Sequence, residues 1–107
     1  MSLSGGGRRQ KGVRGEHEVL ELFEEHGFKV RGLESKGDHL AFKLLQDGEP
    51  LTVHIEVKRQ ETLRPDTWSR QAESEAPEHT VPLVVYRRSR EPWRVLLTLD
   101  NFFERVK

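Results

Sequence analysis

The run Val53-His54-Ile55-Glu56-Val57-Lys58 constrains what this chain can fold into more than any other segment. Side chains alternate across an extended strand, so Val53, Ile55 and Val57 share one side while Glu56 and Lys58 point together into the space on the other. Read alone, an acid and a lysine two residues apart describe an exposed ion pair, which contributes little. Two further acids change its weight: Asp38, behind Ser35-Lys36-Gly37, and Glu16, set into the apolar side of a helix. The expectation is that three carboxylates and one ammonium converge.

From Lys11 to His26 the pattern is helical. Val13, Val19, Leu20 and Phe23 form one stripe, Arg14, Glu18, Glu21 and Glu25 the other, and Gly27 closes the helix. At 100° per residue Glu16 falls inside the apolar stripe, and a buried carboxylate there requires a metal, a lysine or an edge position. Residues 1 to 10, rich in Ser and Gly, read as a flexible basic arm, and residues 11 to 107 as one compact domain.

Phe28 to Arg31 reads as a short strand. Asp38 to Gln46 and Leu51 to Arg59 read as two strands of a hairpin around Asp47-Gly48-Glu49-Pro50. A three-residue connection with Gln46 opposite Pro50 would set Asp38 against Lys58, on the side that also carries Glu56; an even connection would send Asp38 to the other face. Pro65 starts a helix that Pro77 stops, with Trp68, Gln71 and Ala72 on its inner side. Val81 to Arg87 and Trp93 to Leu99 are strands, and Asp100 caps a last helix from Asn101 to Val106. The order α-β-β-β-α-β-β-α predicts an α/β fold, a mixed sheet flanked by helices.

The 107 residues contain no cysteine, which excludes disulfides, thiolate zinc sites and cysteine nucleophiles. No run is apolar enough to cross a bilayer, and the start lacks the hydrophobic middle of a secretory signal, so a soluble cytoplasmic protein without membrane partners is expected. Eighteen basic residues balance eighteen acidic ones, yet Arg8, Arg9, Lys11 and Arg14 cluster at one end, and Arg87, Arg88, Arg90 and Arg94 near the other. Such clusters could neutralise phosphates, with DNA the expected partner, or could be ordinary solvated surface; charge alone leaves both readings open. The five histidines have no metal spacing on one helix face; His54 shares the Glu56 side of its strand by parity and so could touch the site, with a packed or surface residue the favoured reading.

Hard divalent cations take oxygen ligands, and Asp38 with Glu56 meets the minimum for Mg²⁺, with Mn²⁺ a substitute. Two carboxylates about 5 Å apart repel by roughly 3 kcal/mol at an effective dielectric near 20, so the pair needs a cation, a proton or a lysine. No organic cofactor is indicated.

Taken in order, Lys11-Gly12…Glu16, Ser35…Gly37-Asp38 and Ile55-Glu56-Val57-Lys58 resemble the PD-(D/E)XK nucleases, and most closely the archaeal-type Holliday junction resolvases. The resemblance covers Lys11 to Lys58 and implies a restriction-endonuclease-like fold. It implies catalytic roles for Glu16, Asp38, Glu56, Lys58 and Ser35, and a Mg²⁺ site of Asp38, Glu56, Glu16 and the Val57 carbonyl. It also implies a homodimer that nicks opposing strands of a four-way junction in DNA recombination and repair. Arg8, Arg9, Lys11, Arg14, Lys36 and Arg59 are the expected DNA contacts. In this chain Asp38 follows Gly37 with no proline before it. Two alternatives stay open: a nuclease of the same fold acting on flaps, mismatches or linear duplex, and a DNA-binding protein without catalysis.

Overall fold

The computed structural model describes residues 3–32 and 38–106, with side chains from residue 14 onward. Ser35 and Lys36, and the side chains of Arg8, Arg9 and Lys11, lie outside what is described. The elements are α1 (Leu3–Glu25), β1 (Lys29–Gly32), β2 (Asp38–Leu44), β3 (Pro50–Arg59), α2 (Pro65–Glu75), β4 (Val81–Arg87), β5 (Arg94–Leu96) and α3 (Leu99–Arg105), in the expected order. They build a five-stranded mixed sheet of order β1-β2-β3-β4-β5. Only β3 and β4 run parallel, joined through α2; the other pairs are antiparallel.

Helix α1 ends as its sequence dictates. Gly27 takes φ +88°, the left-handed conformation that a side chain disfavours. The Gly27 N–H donates to the Glu24 carbonyl at 3.0 Å and the Phe28 N–H to the Phe23 carbonyl at 3.0 Å, which together satisfy two orphan carbonyls of the last turn. The hydrophobic contact that accompanies such an ending is Phe23 against Phe28, edge to face with ring centroids 5.1 Å apart. The start differs from expectation: α1 begins at Leu3, so the stretch expected as a flexible arm is helical from there on. Glycine is a poor helix former, but extending an existing helix avoids the costly nucleation step and adds one hydrogen bond per residue.

The β2–β3 hairpin is closed by a three-residue loop, Gln46-Asp47-Gly48, one residue earlier than expected. The Leu45 N–H donates to the Glu49 carbonyl at 2.8 Å, the Gly48 N–H to the Leu45 carbonyl at 2.9 Å, and Gly48 has φ +87°. A three-residue hairpin of this kind is a type I turn followed by one left-handed residue, and glycine fits that last position. Placing the loop on Asp47, Gly48 and Glu49 would have put glutamate there. The register therefore shifts by two in its pairing sum, Leu44 opposes Pro50, and Asp38 faces Glu56 in place of Lys58.

Parity along β3 decides the layers. Val53 and Ile55 pack with Ala41, Val85 and Val19 of α1, flanked by Phe23, Phe28 and Val57. On the opposite face Trp68 and Ala72 of α2 pack with Val84, beside Tyr86 and Leu96. Each helix thus covers one face, and β3 is buried from both sides. Two C-terminal details differ from expectation. Strand β5 is only Arg94–Leu96, and α3 is capped by Thr98, not Asp100: the Asn101 N–H donates to Thr98 Oγ1 at 3.2 Å. Thr98 still has extended backbone (ψ 154°), as an N-cap requires, whereas Asp100 already lies in the first turn. Among the described residues no helix is long and apolar enough to cross a membrane.

Candidate metal centre

The centre is built on the α2 face by β2 and β3. In an antiparallel ladder the hydrogen-bonded pairs alternate with pairs that exchange no backbone bonds and hold their side chains closer, with Cα atoms about 4.5 Å apart. Counted from the bonded Leu45–Glu49 pair, Asp38 and Glu56 fall on a pair of the second kind. Both are buried, at 4% exposure each. His54, two residues before Glu56 and therefore on the same face, is fully buried, and its Nε2 lies 2.5 Å from Asp38 Oδ2, with the imidazole N–H donating. One donor atom from each of Asp38, His54 and Glu56 lies within 4.8 Å of the others, close enough to share a metal ion.

Lys58 follows on the same face. Its ammonium donates to Gln71 Oε1 of α2 at 3.4 Å, and the Gln71 amide reaches Glu75 Oε1 at 3.4 Å. Glu75 in turn hydrogen-bonds Glu56. The Glu56 pKa is pushed from an ordinary value of 4.5 to about 8. Burial is the largest cause, followed by the bond to Glu75 and the Glu75 charge; Lys58 pulls the other way, and Asp38 adds a smaller upward push.

Asp38 Oδ1, Glu56 Oε1 and His54 Nδ1 are buried with no hydrogen-bond partner among the described residues. Buried oxygens on adjacent carboxylates are costly unless something satisfies them, and a divalent cation does so with the chemistry these oxygens prefer. The bond to His54 occupies Asp38 Oδ2 and leaves Oδ1 for a cation. The donor set fits a divalent metal with Asp38 and Glu56 as oxygen ligands and His54 holding Asp38 in place.

Of the acids expected to converge, Asp38 and Glu56 do so and Glu16 does not. Glu16 points inward from α1, as its place in the apolar stripe implies, but α1 covers the Val53–Ile55 face. There Glu16 Oε2 lies 3.6 Å from Nε2 of His39, a residue whose register partner is Ile55, so the β2 backbone separates it from Asp38. Its place as the third acid is taken by Glu75 of α2, a residue outside the expected set. The signal was present: Trp68, Gln71, Ala72 and Glu75 recur at helical spacing on one side of α2. His54 lies on the side that strand parity gives it and touches the site through Asp38, against the favoured reading of a packed or surface residue. The Val57 side chain belongs to the α1 layer. Its backbone groups, being on an odd residue of β3, point toward β2 just past the Asp38–Glu56 pair.

Of the expected DNA contacts that are described, Arg14 and Arg59 lie together on the α1 side, lining a cavity with Arg87 and Glu18. The C-terminal basic cluster is partly neutralised: Arg87 pairs with Glu18 at 3.4 Å and Arg94 with Glu91 at 3.6 Å. A scan against protein-family models gives no match, and neither does a search of curated proteins.

Proposed function

We propose that this chain is a metal-dependent endonuclease of the PD-(D/E)XK type, with the restriction-endonuclease-like fold that the resemblance implies, and that its substrate is DNA. The observation that carries the reading is the buried Asp38–Glu56 ladder pair, with an oxygen on each residue that has no hydrogen-bond partner among the described residues, and Lys58 on the same face. A solvated salt bridge needs none of this burial.

When bound, Mg²⁺ or Mn²⁺ would supply positive charge against a phosphodiester oxygen and a water made acidic enough to attack. The remaining work falls to the chain. His54 fixes the Asp38 carboxylate through one oxygen. Gln71 holds the Lys58 ammonium beside the centre, where it orients the attacking water or meets the developing negative charge. Water adds to phosphorus, one P–O bond of the backbone breaks, and the leaving oxygen takes up a proton. Burial first, and Glu75 beside it second, favour a proton on Glu56 while no cation is present.

Four-way junctions are the proposed substrate and a homodimer the acting unit, on the strength of the ordered motif; two-fold symmetry would address the two opposing strands together. Exposed apolar side chains on α3, Leu99, Phe102 and Phe103, offer a surface for that association. The test is incubation of labelled four-way, flap and linear duplex DNA with Mg²⁺ or with chelator. Paired symmetric nicks confined to the junction and abolished by chelator are expected. Cutting of flap or duplex alone would retain the nuclease and discard the junction. Binding without any cutting in Mg²⁺ or Mn²⁺ would overturn the enzyme reading.

A further inference from the structure

The cavity lined by Arg14, Glu18, Arg59 and Arg87 encloses about 340 Å³ on the face of the sheet opposite the carboxylates. Arg59 and Arg87 are register partners at the C-terminal ends of β3 and β4, the one parallel pair among the described strands. That end of a parallel pair is where open α/β sheets receive ligands. Among the described residues three guanidinium groups face a single carboxylate there, so positive charge is in excess.

The donors are set but not filled. Arg59 Nη1 and Arg87 Nε are buried with no hydrogen-bond partner among the described residues. Arg87 also lies 4.9 Å over the Trp93 ring, which fixes the plane of its fork. A Cβ on Gly15 would stand 3.4 Å from Arg59 Cδ and 3.5 Å from Trp93, so the glycine lets α1 come close to this floor. Among the described residues Glu18 is the one acid lining the cavity. It holds Arg87 at 3.4 Å with a side chain 46% exposed, so its own carboxylate can turn into water when an anion takes its place on the more buried Arg87. Planar forks with free donors are matched by tetrahedral oxyanions, which accept two bonds from one guanidinium.

We infer that this cavity is a receptor for a phosphate group, held by Arg59 and Arg87 with Arg14 at the mouth, and distinct from the carboxylate centre on the other side of the sheet. The inference does not depend on the nuclease reading. The phosphate can belong to a free small molecule or to a DNA backbone, and the test separates the two.

The full chain is titrated with sodium phosphate in the presence of chelator, against sodium chloride of equal ionic strength, while the arginine Nε–H resonances of Arg59 and Arg87 are followed by NMR. Saturable shifts with phosphate and not with chloride are expected. Arg59→Met should weaken binding about tenfold, as loss of a charge-assisted bond does. Arg14→Met, an exposed change that cannot disturb the core, should weaken it measurably as well, and Glu18→Gln should tighten it. A short single-stranded oligonucleotide is then added to the phosphate-bound protein. Displacement of phosphate assigns the site to a DNA backbone, and saturation without displacement assigns it to a free phosphate. Shifts that chloride reproduces, or that persist unchanged in both arginine variants, overturn the receptor.

Discussion

Asp38 and Glu56 face each other across the β2–β3 ladder, both buried, with His54 tied to Asp38 and Glu75 hydrogen-bonded to Glu56. Each carboxylate of the pair thus has one neighbour, while Asp38 Oδ1 and Glu56 Oε1 are buried without a hydrogen-bond partner among the described residues.

Asp38→Asn should abolish Mg²⁺-dependent cutting and leave DNA binding within about twofold, because the change removes one negative ligand and keeps the shape. Lys58→Met should lower the single-turnover rate by about 10² or more, the scale of losing one group that stabilises developing charge. Gel-shift and cleavage measurements on the same preparations check both, and full cleavage by Asp38→Asn would end the proposal.

His54→Ala removes the group that holds Asp38 Oδ2. Partners that orient a ligand typically contribute 10- to 100-fold in metal affinity. Calorimetric titration with Mn²⁺ should show a loss in that range. An unchanged affinity would make His54 a packing residue and nothing more.

The raised pKa of Glu56 has a stability consequence in the metal-free protein. Below pH 4.5 the group is protonated whether the chain is folded or unfolded and has no effect. Between pH 4.5 and about 8 the unfolded chain releases the proton while the folded chain keeps it, so stability falls as pH rises through that window. Glu56→Gln, which cannot ionise, should therefore raise the melting temperature relative to wild type at pH 8 by more than at pH 5. Equal shifts at both pH values would show that Glu56 titrates normally.

Gly48 has φ +87° with no heavy atom within 4 Å of where a Cβ would stand, so only backbone strain opposes a side chain there. Gly48→Val should cost about 1–2 kcal/mol in urea unfolding, and Gly48→Asn less, since asparagine tolerates this conformation. Similar values for the two would mean that the loop rearranges and that the register does not depend on it.

Phe103 is 57% exposed and packs against Phe102, with ring centroids 5.8 Å apart. If the α3 surface joins two copies, Phe103→Lys should shift the sedimenting species from dimer to monomer without lowering the melting temperature of the monomer. A wild-type monomer at all concentrations would remove the homodimer from the proposal.

Much of this was legible in the chain. Alternation along residues 53 to 58 sorted His54, Glu56 and Lys58 from Val53, Ile55 and Val57, and the order of eight elements followed from turn residues and periodicity. Gly27 and Phe28 marked the end of α1, and Pro65 and Pro77 bracketed α2. Those features are local, carried by neighbours in sequence. The hairpin register is local as well, since the left-handed position of the turn has to fall on Gly48, and this sets Asp38 against Glu56. What the tertiary structure alone decided is which helix covers which face of the sheet. A helical stripe shows that Glu16 and Glu75 both point inward, but inward toward which face depends on how the chain crosses over. That crossover left Glu16 beside His39 and brought Glu75 to the carboxylates.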